Sequence, residues 1–106
     1  MTRIYLAGPC TGIPEYNAPA FDTAAEMLRA AGFDVVNPHD LCSRVDHGQS
    51  ADDLWRECLR VCIPVLCTCA GVALLDGWEK SRGAMLETHI ADTLGMRTTM
   101  VQRWLD

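Results

Sequence analysis

Short apolar runs alternating with helix-length amphipathic stretches constrain this chain more than any other feature. Ile4-Tyr5-Leu6-Ala7 is an apolar run ended by Gly8-Pro9, and it reads as a strand stopped by a turn. From about Pro19 to Ala31, the residues Phe21, Ala24, Ala25, Leu28 and Ala31 fall on one helical stripe. Asn17 or Ala18 stands near the start of that helix, Pro19 suits its first turn, and Gly32 ends it. Phe33-Asp34-Val35-Val36 follows as a second strand, stopped by Asn37-Pro38-His39-Asp40. Residues from about Leu41 to Gln49 read as polar loop. Ser50 caps a helix with Asp53 in its first turn, running to about Val61 and disturbed or ended by Pro64. Val72 to Leu75 is a third strand. A helix from about Arg82 to Leu94, ended by Gly95, leads to a fourth strand at Thr98 to Val101, with Trp104 and Leu105 in a last turn.

Strands separated by helices of this length pair in parallel through right-handed crossovers. The expected fold is therefore α/β: a three-layer, Rossmann-like (flavodoxin-like) domain with a four- to five-stranded parallel sheet. At 106 residues, one domain is expected. Ligands of such sheets sit outside the carboxyl ends of the strands, which here carry Gly8-Pro9, Asn37-Pro38 and Asp76-Gly77-Trp78. The glycines form neither G-x-G-x-x-G nor G-x-x-x-x-G-K-[ST], so a dinucleotide fingerprint and a phosphate-loop NTPase are both unsupported.

Composition removes further classes. No apolar stretch approaches the roughly 20 residues of a membrane span, and the amino terminus reads as entering a strand without a basic region or cleavage site. The expectation is a cytoplasmic protein with no membrane partner. A net charge of −5 argues against polymeric nucleic acid, whose phosphates are bound by clustered Lys and Arg, but leaves room for a small anion at a helix amino end. Six cysteines without a secretion signal are expected to be reduced thiols. Among them Cys58, Cys62, Cys67 and Cys69 form a C-x3-C-x4-C-x-C cluster. Four thiolates can close a tetrahedral zinc site, but this spacing is not a usual knuckle, and small buried side chains explain it more simply.

One carboxylate stands where a helix would normally place an apolar residue. Gly83 and Ala84 lie one turn before Glu87, and Ile90, Ala91 and Leu94 lie one and two turns after it, so Glu87 is expected to point at the sheet. A buried carboxylate is costly unless its surroundings are arranged for it, which makes Glu87 a candidate catalytic residue; the alternative is a core glutamate satisfied by a neighbour. Asp76, at the end of the third strand, is either a second acid or base or a turn-forming aspartate. His39, His47 and His89 are scattered, and His89 lies about 200° round the helix from Glu87.

Ile4-Tyr5-Leu6-Ala7-Gly8-Pro9, Tyr16-Asn17, Phe21 and above all Ser81-x-Gly83-x-x-x-Glu87 resemble the nucleoside 2-deoxyribosyltransferase superfamily, closest to its small, often phage-encoded members. The resemblance spans nearly the whole chain and is weakest between Leu41 and Asp53. It implies cleavage between a nucleobase and deoxyribose through a covalent glycosyl intermediate on Glu87, with no metal or organic cofactor. A carboxylate on one face of the sugar suits an oxocarbenium-like centre, and a position one turn into a helix is expected to help keep it ionised. The resemblance places Ser81 at a 5′-phosphate, where Arg82 adds charge; a plain N-cap and a solvated arginine are the alternatives. Tyr5, which the resemblance adds to the catalytic candidates, Gly8 and Pro9 are expected to line the pocket floor, Gly8 letting a ligand approach the backbone, and Tyr16 and Trp78 to be base-stacking walls or ordinary packing, while Asn17, Phe21 and Gly83 fall at substrate-binding positions of the resemblance.

Two positions depart from the family. Cys62 falls where a helix aspartate assists at the sugar and leaving base, and Ala70 falls at a further aspartate. A thiol replaces that carboxylate poorly, both as partner to a sugar hydroxyl and as general acid. The outcomes left open are an enzyme that has moved the role to Asp76 or Glu57, a slow hydrolase, and a nucleotide-binding module without catalysis. A metal or redox protein built on the cysteines is a third class. A small-molecule nucleoside or nucleotide is the expected partner. A chain this short is expected to form a homodimer or higher homo-oligomer whose neighbour completes the site.

Overall fold

Along β1 (Arg3–Ala7), alternate side chains leave for opposite faces of a sheet, and their company divides the molecule into layers. Ile4 and Leu6 pack with Phe21, Ala24, Ala25 and Leu28 of α1 (Ala18–Ala30) and with Trp104 of α5 (Val101–Leu105). Tyr5 and Ala7 pack on the other side with Cys62 and Leu66 of α3 (Ala51–Leu66) and with Ala84 and Ala91 of α4 (Arg82–Thr93). The computed structural model describes residues 1–43, 45, 48 and 50–106. Among them β1, β2 (Asp34–Val36), β3 (Gly71–Leu74) and β4 (Arg97–Met100) form one parallel sheet in the order β2-β1-β3-β4. The fold is the three-layer, Rossmann-like α/β domain expected. Tyr5 pairs with Val36 on one side and Val72 on the other, so it sits on an inner strand. No described helix is long and apolar enough to cross a membrane.

Three elements differ from expectation. Asn37-Pro38 ends β2 but also starts a five-residue helix, α2 (Pro38–Cys42). The Asn37 side chain accepts from the His39 amide at 3.1 Å and Pro38 occupies the first turn, so residues that stop a strand here also cap a helix. Pro64 lies inside α3, which continues to Leu66: the proline lacks one amide but stands near the helix end on its exposed side. Leu94 caps α4 and is 56% exposed instead of extending its buried stripe. Part of the expected Leu41–Gln49 loop, together with His47, lies outside the described residues.

Gly71 is required by its neighbours. A Cβ there would meet the Arg97 carbonyl and the Trp104 ring at 2.6 Å. That close approach lets the Trp104 indole donate to the Val72 carbonyl at 3.0 Å while the Arg97 guanidinium stacks on it at 4.2 Å.

Candidate active-site cleft

A cleft of about 900 Å³ opens at the carboxyl ends of the strands, bounded by the loop after β1, by α2, and by the facing parts of α3 and α4. Its lining includes Tyr5, Gly8, Pro9, Tyr16, Phe21, Ser81, Arg82, Gly83 and Glu87, which the sequence scatters over some eighty positions. The parallel topology brings them together, because each crossover returns the chain to the same rim.

Glu87 is 8% exposed, lies on the α4 stripe between Ala84 and Ala91, and shares a hydrogen bond between its Oε2 and the Tyr5 hydroxyl. Burial pushes its carboxyl up to about 8; the Tyr5 hydrogen bond opposes this, and the neighbouring Cys62 adds to it. Desolvation at the sheet surface is thus the largest influence on Glu87, and it favours the protonated form over the ionised one expected from its place on the helix. Tyr5 is held well above its ordinary value, first by burial and then by Glu87, and so remains a neutral phenol.

The loop between β1 and α1 carries backbone strain. Glu15, Tyr16 and Asn17 all have positive φ, at 57°, 53° and 64°. Side chains in this left-handed region cost roughly 1–2 kcal/mol each. The Tyr16 amide donates to Ile13 O at 2.9 Å, and the Asn17 side-chain amide donates to Pro9 O at 3.0 Å, holding a half-exposed Tyr16 at the cleft. Gly8 serves a different approach from the one expected. A Cβ there would meet Leu75 Cβ at 2.8 Å, so its missing side chain accommodates the chain after β3 rather than a ligand.

The head of α4 forms one side of the cleft mouth. Ser81 Oγ accepts from the Ala84 amide at 3.2 Å, an N-cap, while still lining the cleft. The Arg82 guanidinium lies 3.7 Å over the Trp55 ring and 3.5 Å from Asp52. Both partners of the ion pair are exposed, so the stacking orders Arg82 more than the charge pair does. A Cβ at Gly83 would meet the Trp55 indole nitrogen at 3.2 Å, so the glycine leaves room for that ring. Trp55 went unnoticed as a site residue, yet it continues the Cys58–Cys62 helix face one turn back.

The opposite wall comes from α2. His39 sits edge-on to Phe21 at 4.6 Å and 3.9 Å from Cys10 Sγ; burial holds it below its ordinary value, with Asp22 and Asp40 opposing. All six cysteines are thiols. Cys10, Cys42, Cys58 and Cys62 line the cleft, whereas Cys67 is exposed and Cys69 is packed beneath the sheet. The C-x3-C-x4-C-x-C cluster therefore does not converge, and among the described residues no group of three or more His, Cys, Asp or Glu is placed to hold a metal ion.

Three site candidates lie outside the cleft lining. Asp76 and Asn17 border a separate, shallower depression between α1 and α5. Trp78 packs against the α3–α4 side of the core. Gly77, at φ 85°, makes the turn between Asp76 and Trp78 after β3.

A parallel α/β sheet with a cleft and a buried carboxylate below the strand ends defines the class of protein by its fold and fixes no reaction. Residues 2–100 match a family described as a domain of unknown function, DUF4406, and the chain belongs to that family. No curated protein matches it.

Proposed function

We propose that the chain cleaves, or transfers at, the N-glycosidic bond of a deoxynucleoside or nucleoside or its 5′-monophosphate, with Glu87 as nucleophile. The observation that carries this reading is a buried carboxylate, oriented by a neutral tyrosine, at the floor of an open cleft of a size that suits a small organic ligand. A Glu87 oxygen attacks C1′ as the C1′–N bond breaks, and the base departs with the electron pair and takes a proton from solvent in the cleft. Water or a second base then attacks C1′ and frees the carboxylate. Tyr5 holds the carboxylate in place. Only ionised Glu87 attacks, so the rate rises with pH through about 8. With this reading go a cytoplasmic, phage-type role in nucleotide metabolism and a homodimer or larger assembly.

The second reading is a nucleotide-binding module without turnover. It is favoured by Cys62, a thiol, beside Glu87, and by a carboxyl that stays protonated at neutral pH and so donates a hydrogen bond. Chromatography of base released from deoxynucleosides and their 5′-monophosphates, wild type against Glu87→Ala, separates the two. Release that vanishes in the variant supports the glycosidic reading. Calorimetric binding with no release from any substrate selects the module.

A further inference from the structure

Three of the cleft thiols, Cys42, Cys58 and Cys62, lie on the wall formed by α2 and α3. Cys42 is the last residue of α2, and its Sγ lies 3.7 Å from Cys62 Sγ of α3. At that distance the two thiols share a weak S–H···S hydrogen bond. A bond of about 2.0 Å needs the two atoms to close by about 1.7 Å, a movement within the reach of side-chain rotation and a small shift of a five-residue helix. Cys62 is buried more than a turn inside the carboxyl end of the sixteen-residue α3 and is the fixed partner.

The two thiols are also unequal. The hydrogen bond from Cys42 draws the Cys62 thiol below its ordinary value against the effect of burial, while Cys42 is pushed up. Such a pair has one ready thiolate and one thiol to resolve it. Cys10, in the same cleft, is pushed up to about 12 by burial and is inert by comparison.

We propose that Cys42 and Cys62 form a redox-active dithiol in the cleft wall, which a hydroperoxide oxidises to an intramolecular disulfide and a small dithiol restores. The Cys62 thiolate attacks one peroxide oxygen, the O–O bond breaks, the leaving oxygen departs as an alkoxide or hydroxide, and Cys62 becomes a sulfenic acid. The Cys42 sulfur then attacks the Cys62 sulfur and gives up its proton, and the sulfenic oxygen leaves as water. Two thiols lose two electrons and two protons, and hydrogen peroxide becomes two waters. The disulfide pins α2 to α3 within the cleft wall and removes the thiol that neighbours Glu87. This holds whether or not Glu87 ever attacks a sugar.

The test uses the full chain, reduced, freed of reductant and treated with one equivalent of hydrogen peroxide, then alkylated, digested and mapped by mass spectrometry. The expected result is an intact mass lower by two hydrogens, with the Cys42 and Cys62 peptides joined, fully reversed by dithiothreitol. Cys42→Ser is expected to lose the crosslink and leave a sulfenic acid on Cys62 that dimedone traps; Cys62→Ser is expected to show neither. Far-UV circular dichroism checks that both variants fold. Recovery of Cys42 and Cys62 fully alkylated while exposed Cys67 oxidises, or a crosslink joining Cys58 in place of Cys42, overturns the proposal in the wild type without recourse to either variant.

Discussion

Glu87→Gln separates the demands of folding from those of the site. In the folded chain burial raises the Glu87 carboxyl from 4.5 to about 8, so the folded state binds a proton over a range in which the unfolded state has released it. Stability contributed at this position is fully present below pH 4.5, falls as pH rises, and levels off above pH 8. Each pH unit in that window removes somewhat more than about 1 kcal/mol, giving a loss of about 3 kcal/mol by pH 7 and about 5 kcal/mol above pH 9. Against the 5–15 kcal/mol typical of a whole domain, that is a large penalty. Glutamine keeps the shape and can still accept from Tyr5, but it does not ionise. The assay is urea unfolding followed by circular dichroism at pH 5 to 9 for both proteins, since groups common to both cancel in the difference. The variant should gain on the wild type steadily with pH. A difference that stays constant within about 1 kcal/mol over that range would refute the reasoning.

Tyr5→Phe removes the hydrogen bond that holds the Glu87 carboxyl down, so the rising limb of any pH–rate profile should move to higher pH, with a stability loss of about 1–3 kcal/mol. An unmoved limb would show that Tyr5 does not govern Glu87. Glu15→Gly releases an exposed residue from a left-handed backbone and should raise the melting temperature, worth up to about 1 kcal/mol. A lower melting temperature would show that the loop is not strained there.

The central strands were legible because they are buried on both faces and so read as unbroken apolar runs: Ile4 to Ala7 and Val72 to Leu75. The edge strand β4 begins at Arg97 with polar residues and was read one residue late. α2 was missed because Asn37-Pro38 signals both a stop and a start, and only tertiary packing selects between them. Glu87 could be placed on the sheet side of its helix from spacing alone, since Ala84 and Ala91 share its stripe. Its protonation state could not, because that depends on how completely Tyr5, Cys62 and the sheet exclude water. Asp76 and Trp78 look adjacent to Glu87 along the chain, but Asp76 borders the other depression and Trp78 packs into the α3–α4 side of the core. Trp55 precedes Cys58 by three residues and Cys62 by seven, so helical spacing alone puts it on their face.

Tyr5 is hydrogen-bonded through its strand to Val36 on one flank and Val72 on the other, and cannot shift without tearing two ladders at once. The facing wall rests on a five-residue helix tied to its strand by one asparagine cap, and on a left-handed loop secured by a few bonds. The cleft is thus built like a vice with unequal jaws: one is held in the middle of the sheet, the other stands on a single short helix that no strand pairing secures.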